Sequence, residues 1–238
     1  MQEPTMTDQL DPLDMLAVPT PPAGDVELVA LGGEHARWVA ATHVAELPHG
    51  LFPRLGRGFV RRWHAAHVAS PHGTAYVALR GGEPVGFLLG STDRRAGVAW
   101  LLEHRRGPLV RAAARAFATR PRLLAEFAAT RAGRYLRRLR GRPAAGTAGT
   151  PSAERIAVLE AIVVAPSARG NGIGTRLVAR FLDDTTTAGA DRVELVTKAG
   201  AEGAAAFYER VGWTRVGSHV DRDGDTVLTY RAPAVAGR

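Results

Sequence analysis

An apolar run from Ile156 to Val164 is followed, five residues on, by Arg169-Gly170-Asn171-Gly172-Ile173-Gly174 and then by a helix-like stretch, Thr175 to Asp184. This unit constrains the fold more than any other feature of the chain. A strand that turns through glycines into a helix exposes the first backbone N–H groups of that helix, which have no intrahelical acceptor. They lie at the positive end of the helix dipole, and the glycines let a ligand approach without Cβ atoms in the way. The unit therefore predicts an α/β fold with a phosphate or pyrophosphate docked on the loop.

The rest of the chain fits around that unit. Residues 1–24 hold five prolines and little periodicity and read as a disordered tail. Asp25 to Leu31 alternates polar and apolar residues as a first strand does, and Glu34 to Leu47 and Leu55 to Val68 read as helices ended by Pro48 and by Ser70-Pro71. Thr74 to Leu79 and Val85 to Leu89 form a hairpin across Arg80-Gly81-Gly82-Glu83-Pro84. An arginine-rich stretch, about 95–140, follows, with Leu109, Ala113, Ala116 and Phe117 on one helical face and Leu124, Phe127, Ala128, Tyr135 and Leu139 on another. It predicts two or three amphipathic helices inserted between the third and fourth strands. Residues 141–153 have the composition of a flexible linker. Beyond the glycine loop come a strand, Asp191 to Thr197, and a helix, Ala201 to Val211, closed by Gly212. Trp213 to Val216 and Thr226 to Tyr230 are two last strands, and 233–238 is a short tail.

Composition narrows the chemistry. There is no cysteine, which excludes disulfides, a thiol nucleophile and thiolate-bound metals. No apolar run approaches the roughly 18 residues of a membrane span, and no secretory leader is visible, so a cytoplasmic location is expected. The net charge is +8, and Lys198 is the only lysine. Between Arg94 and Arg142 there are fourteen arginines against two acids, Glu103 and Glu126. Such a patch suits an anionic partner or a solvated helical face. The eight histidines show no metal spacing; His64 and His67 share a helical turn without a third ligand.

Three phosphate sites compete for the loop. A nucleotide-binding P-loop needs G-x-x-x-x-G-K-[ST], and the loop holds no lysine. A dinucleotide fingerprint needs G-x-G-x-x-G directly after the strand; here Thr175 replaces the third glycine and Ala165 to Arg169 intervene, although Glu194 sits where a ribose ligand would. The third reading covers more of the chain. Leu159 to Pro166 with Arg169 to Gly174 resembles motif A of the GNAT acyltransferase superfamily, [QR]-x-x-G-x-[GA], met by Arg169, Gly172 and Gly174. Ala204 to Trp213 (A-A-A-F-Y-E-R-V-G-W) resembles the second signature of that family.

The resemblance implies a single N-acetyltransferase domain over 25–232, built on a mixed, mostly antiparallel sheet of about six or seven strands with flanking helices. It implies acetyl-CoA as acyl-donor cosubstrate and no metal. Pantetheine would pair with the fourth strand around Ile162, Val163 and Val164. The pyrophosphate would take the loop, Arg169, Gly170, Asn171, Gly172, Ile173 and Gly174, with the hydroxyl of Thr175. One departure stands out: members commonly carry asparagine where this chain has Ala201.

Acetyl transfer to an amine requires a proton acceptor for the amine and a proton donor for the departing thiolate. Glu160 is the only ionisable residue between Ile156 and Val164. Simple alternation places it on a face with Ile156, Val158, Ile162 and Val164, where partial desolvation raises a carboxylate's pKa towards that of a general base. A structural glutamate paired with an arginine is the other reading. Tyr208 matches the family tyrosine that protonates the CoA sulfur; a hydrogen-bonded core tyrosine is its alternative. His43, Glu46 and His49 lie in the connection that borders the acceptor pocket in the resembling fold, and Leu47 to Pro53 reads as a pocket wall or as an ordinary Pro/Gly loop. The expected reaction is direct transfer to a primary amine of a small molecule, an amino sugar or a biosynthetic intermediate. Protein lysine or N-terminal amines form a second acceptor class. The other class of function is an acyl-CoA-binding regulator docking through the arginine-rich insertion. Nucleic acid is not the expected partner, and a homodimer is compatible with the sequence.

Overall fold

The computed structural model describes residues 26–130, 132–133, 154–200, 204–221 and 224–232. Seven strands form one sheet: β1 (Val26–Ala30), β2 (Gly73–Arg80), β3 (Glu83–Ser91), β4 (Ile156–Val164), β5 (Arg192–Lys198), β6 (Thr214–Val220) and β7 (Thr226–Arg231). Their spatial order is β1-β2-β3-β4-β5-β7-β6. Every pairing is antiparallel except β4 with β5. A parallel pair needs a crossover, and the glycine loop with its helix supplies it. The eight helices among the described residues are α1 (Ala36–Glu46), α2 (Leu51–Arg54), α3 (Arg57–Val68), α4 (Arg94–His104), α5 (Arg106–Ala118), α6 (Pro121–Thr130), α7 (Ile173–Thr187) and α8 (Ala204–Arg210). The mixed, mostly antiparallel sheet and the helices between β3 and β4 match the sequence reading. The tails, the linker, Tyr135, Leu139 and Ala201 lie outside the described residues.

Two apolar layers sandwich the sheet. On one face Leu177, Val178 and Phe181 of α7 and Tyr208 of α8 pack with Leu88, Leu159, Leu195 and Tyr230. The i, i+4 spacing of Leu177 and Phe181 puts one stripe of α7 inward. A polar hub locks α7 at its far end: Asp184 accepts from Thr74 Oγ1 (2.8 Å) and Tyr76 Oη (2.6 Å) on β2. On the other face Val39 of α1 meets Val77, Phe87, Leu89, Ala161 and Val163. The second helix expected from the sequence, Leu55 to Val68, is α3; the short α2 precedes it, separated by Gly56, in the stretch read as a pocket wall or loop.

A third cluster attaches the inserted helices. Leu55 and Phe59 receive Ala112, Phe117 and Leu123, with Phe127 at the margin. Here the expected face needs correction. Leu123 is buried, whereas Leu124 is 45% exposed. The stripe of α6 is Leu123–Phe127, because Phe117 of α5 packs on Phe127 with ring centroids 5.0 Å apart and the ion pair of Arg54 with Glu126 (2.5 Å) fixes the rotation of the helix.

The sequence also misassigns one face of β4. Leu89 pairs with Ala161 but Gly90 pairs with Leu159, so Glu160 is an extra residue, a β-bulge. Ala157 and Leu159 face α7, and past the bulge Ile162 and Val164 pack on that same side. Ala161 and Val163 face α1. Glu160 therefore does not share a face with Ile162 and Val164; it projects towards α3.

Beneath α1 and α3 the core holds two histidines. His43 and His64 are buried, with His64 Nε2 3.2 Å from His43 Nδ1, and His43 stacks on Phe87 at 5.9 Å. Burial lowers the pKa of His43 to about 4. It lowers that of His64 to about 3, with the neighbouring His43 and His67 adding to the effect. Both rings are thus neutral in the native state and take up protons readily once unfolded. Stability from this pair is present above the unfolded pKa near 6.5 and falls as pH drops from there towards 4. Chemical denaturation between pH 4.5 and 7 should show stability rising with pH, by up to about 1.4 kcal/mol per pH unit for each histidine. A flat profile over that window would show that the two rings are not held neutral.

Candidate active site

The bulge at Glu160 coincides with the place where the sheet opens. β4 and β5 pair in parallel from Ile156 with Arg192 as far as Leu159 with Leu195, and no further. Beyond that point β5 stays with β7, through Lys198 with Val227, while β4 continues along β3 to Val164. The two strands part in a V with backbone groups of β4 along one wall. An extended ligand with amide groups can pair there as a missing strand would.

At the end of β4 the chain runs through a short 3₁₀ turn, Pro166–Ala168, into the loop. Asn171 Nδ2 donates to the carbonyls of Ala168 (3.2 Å) and Arg169 (3.1 Å), which ties the loop's acceptors inward. Gly172, at φ +69°, is the N-cap of α7 and contributes no side-chain cap. Among the described residues, no protein acceptor meets the N–H groups from Gly170 to Thr175. That array, at the start of a fifteen-residue helix, is a built anion cradle. Gly174 serves packing: a Cβ there would lie 3.1 Å from the Phe207 ring of α8. Arg169 has a different part from the rest. Its amide donates to Pro166 O (3.3 Å), and its guanidinium donates to Val164 O (3.1 Å) and Glu46 Oε2 (3.0 Å). Arg169 braces the loop against β4 and α1.

Glu160 stands at the mouth of the V, its side chain 26% exposed. Burial raises its carboxyl above the ordinary range, and the charges of His67 and Arg94 draw it partly back. His67 Nδ1 lies 3.6 Å from Glu160 Oε2. The other ring nitrogen, Nε2, is 2.7 Å from the carbonyl of Gly90, which can only accept, so Nε2 carries a hydrogen and Nδ1 faces the carboxylate. On the opposite face Tyr208 is buried among Phe207, Trp213 and Tyr230. Burial raises its phenol pKa, which keeps the hydroxyl protonated.

The profile of the acetyltransferase (GNAT) family matches residues 102–213, a span that contains β4, the loop, α7 and Tyr208. Over those residues the chain matches the GNAT acetyltransferase family. That match supports an acyl-CoA-dependent N-acetyltransferase. No curated protein matches its sequence. Among solved structures, one described as a GNAT-family acetyltransferase from Desulfovibrio desulfuricans shares 17% identity, with a TM-score of 0.52 over 89% of this chain and 100% of that one. A GNAT-family acetyltransferase from Streptococcus pneumoniae shares 14%, with a TM-score of 0.50 over 87% and 98%. A third, described as a streptothricin acetyltransferase from Bacillus anthracis in complex with acetyl coenzyme A, shares 14% with a TM-score of 0.43; the alignment covers 71% of this chain and 66% of that one.

Within the GNAT frame the three candidate acceptor residues separate. His43 is turned into the core against His64 and Phe87. Glu46 is held by Arg169, and His49 is exposed just before α2. His67, Arg94 and Ser91 were not singled out as site residues. They reach Glu160 only across the turn of α3, the start of α4 and the end of β3, contacts without a local sequence signal. Among the described residues no group of three or more His, Cys, Asp or Glu has a metal-holding arrangement, and no helix is long and apolar enough to cross a membrane.

The loop geometry predicts distinct effects for its glycines. Gly172→Ala should cost about 1–2 kcal/mol of stability, since alanine is strained at left-handed φ. Gly174→Val should instead push Phe207 aside and weaken acetyl-CoA binding in calorimetric titration at least tenfold. Unchanged affinity in Gly174→Val would show that the contact of α8 with the loop does not shape the cradle.

Proposed function

We propose that this GNAT enzyme transfers the acetyl group of acetyl-CoA directly to a primary amine of a small molecule, such as an amino sugar or biosynthetic intermediate, within a ternary complex. The observation that carries the reading is the carboxylate of Glu160, its pKa raised by burial, at the point where β4 and β5 part. The amides from Gly170 to Thr175 and the hydroxyl of Thr175 would hold the pyrophosphate, and the backbone of Ile162 to Val164 the pantetheine. Bound there, acetyl-CoA supplies an acyl carbon activated by its thioester.

The chain's residues then have complementary tasks. Glu160 accepts the proton that the amine loses as its nitrogen forms the new C–N bond. A carboxylate with a raised pKa holds that proton better than an ordinary glutamate. Tyr208 approaches from the other face of the sheet and donates its phenolic proton to the thiolate as the C–S bond breaks. The small-molecule acceptor is favoured by the inserted helices, the first of which, α4, packs against β4 and can narrow the approach to Glu160. A confined approach suits a compact amine better than a protein surface.

Thiol release from acetyl-CoA with a panel of amino sugars, polyamines, amino acids and lysine peptides tests the acceptor class. Turnover of the small amines over the peptides is expected; the reverse preference would transfer the reading to protein acetylation. Glu160→Gln should lower kcat by about 10²–10⁴-fold with acetyl-CoA affinity unchanged, and Tyr208→Phe should reduce kcat in the same direction. Full turnover in both variants would remove them from the chemistry.

A further inference from the structure

Beside Glu160, between the sheet, α3 and α4, lies a cavity of about 20 Å³ lined by Glu160, His67, Ser70, Ser91, Arg94 and Gly97. That volume takes one water molecule, and its walls are polar enough to hold it. Ser91 is 3% exposed, and its Oγ is buried without a hydrogen-bond partner. A buried hydroxyl left unpaired is costly, so such a group calls for a partner. Ser91 pairs across the sheet with Val158, two residues before Glu160, so both side chains project into the layer between the sheet and α4. The close approach of α4 is built in as well: a Cβ on Gly97 would come within 3.0 Å of Ser91 Oγ. Asp93 fixes the start of that helix by accepting from Ala96 N at 3.0 Å.

We infer that His67 and Ser91 are positioning residues for Glu160, His67 directly and Ser91 through one water held in this cavity. Ser91 Oγ accepts a hydrogen bond from that water or donates one to it, and the water donates to the Glu160 carboxylate. His67, anchored on Gly90 O, presents Nδ1 to the same carboxylate from α3. Arg94 faces it from α4. Together they hold the carboxylate at the mouth of the V in one orientation and set the pH at which it takes up a proton. The inference rests on the reading of Glu160 as the base, yet it concerns a property of the resting protein.

Infrared pH titration of the protonated-carboxyl stretch, assigned by its loss in Glu160→Gln, requires no acceptor. Removing the donor beside Glu160 should raise its protonation midpoint: Ser91→Ala by about one pH unit, with Ser91→Thr restoring the wild-type value. His67→Gln should also move it upward, because the favourable electrostatic interaction of the ring with the carboxylate is lost. Circular dichroism and thermal midpoints establish that each variant is folded; if Ser91→Ala were not, Ser91→Cys replaces it, with the same upward shift expected. A Glu160 midpoint that is unmoved in the folded Ser91 and His67 variants would overturn the inference. Full turnover by Glu160→Gln would instead overturn the assignment of the base and leave the measured midpoints standing.

Discussion

The structure depends on one extra residue in a strand. Alternation along β4 would put Glu160 on the same side as Ile162 and Val164, facing α7. The bulge against Leu89 and Gly90 reverses the parity at Glu160, so that apolar residues on either side of it still reach α7 while the carboxylate turns towards α3. Bulges bend the strand that carries them and increase its local twist. Here the bend falls where pairing with β5 ends, after Leu159 and Leu195. A single irregularity thus opens the V between two strands and places an ionisable group at its mouth.

The loop and helix that follow complete the arrangement by rigid support. Asp184 pins one end of α7 to β2, and Phe207 rests on Gly174 at the other. Arg169 ties the loop to the end of β4 and to the last turn of α1. Amides fixed in this way need little reorganisation to receive an anion. The same bracing explains why an arginine in the loop does not itself reach outward to a phosphate: its side chain is occupied by Glu46 and Val164.

What was legible in the sequence was local. The strand–loop–helix unit, the hairpin at Gly81-Gly82, the inserted amphipathic helices and the glycine N-cap each follow from residues adjacent in the chain. The features that escaped depend on partners far apart in sequence. The bulge is invisible in Ile156 to Val164, because it exists only in register with β3. His43 and His49 read alike as pocket histidines, but the packing of α1 on α3 buries the first and leaves the second exposed. Leu123 and Leu124 are equivalent by composition, and the docking of α6 on Phe117 decides between them. His67 approaches Glu160 only because Gly90, on a third element, holds its ring.

The central claim is that the bulge, the V and the loop form one site for the acyl donor, with Glu160 on the side where the amine enters. A crystal structure with acetyl-CoA bound tests it most directly. The account predicts the pyrophosphate on the amides from Gly170 to Thr175, the pantetheine along Ile162 to Val164, and the thioester between Glu160 and Tyr208. A coenzyme seated elsewhere, or a thioester remote from Glu160, would contradict it.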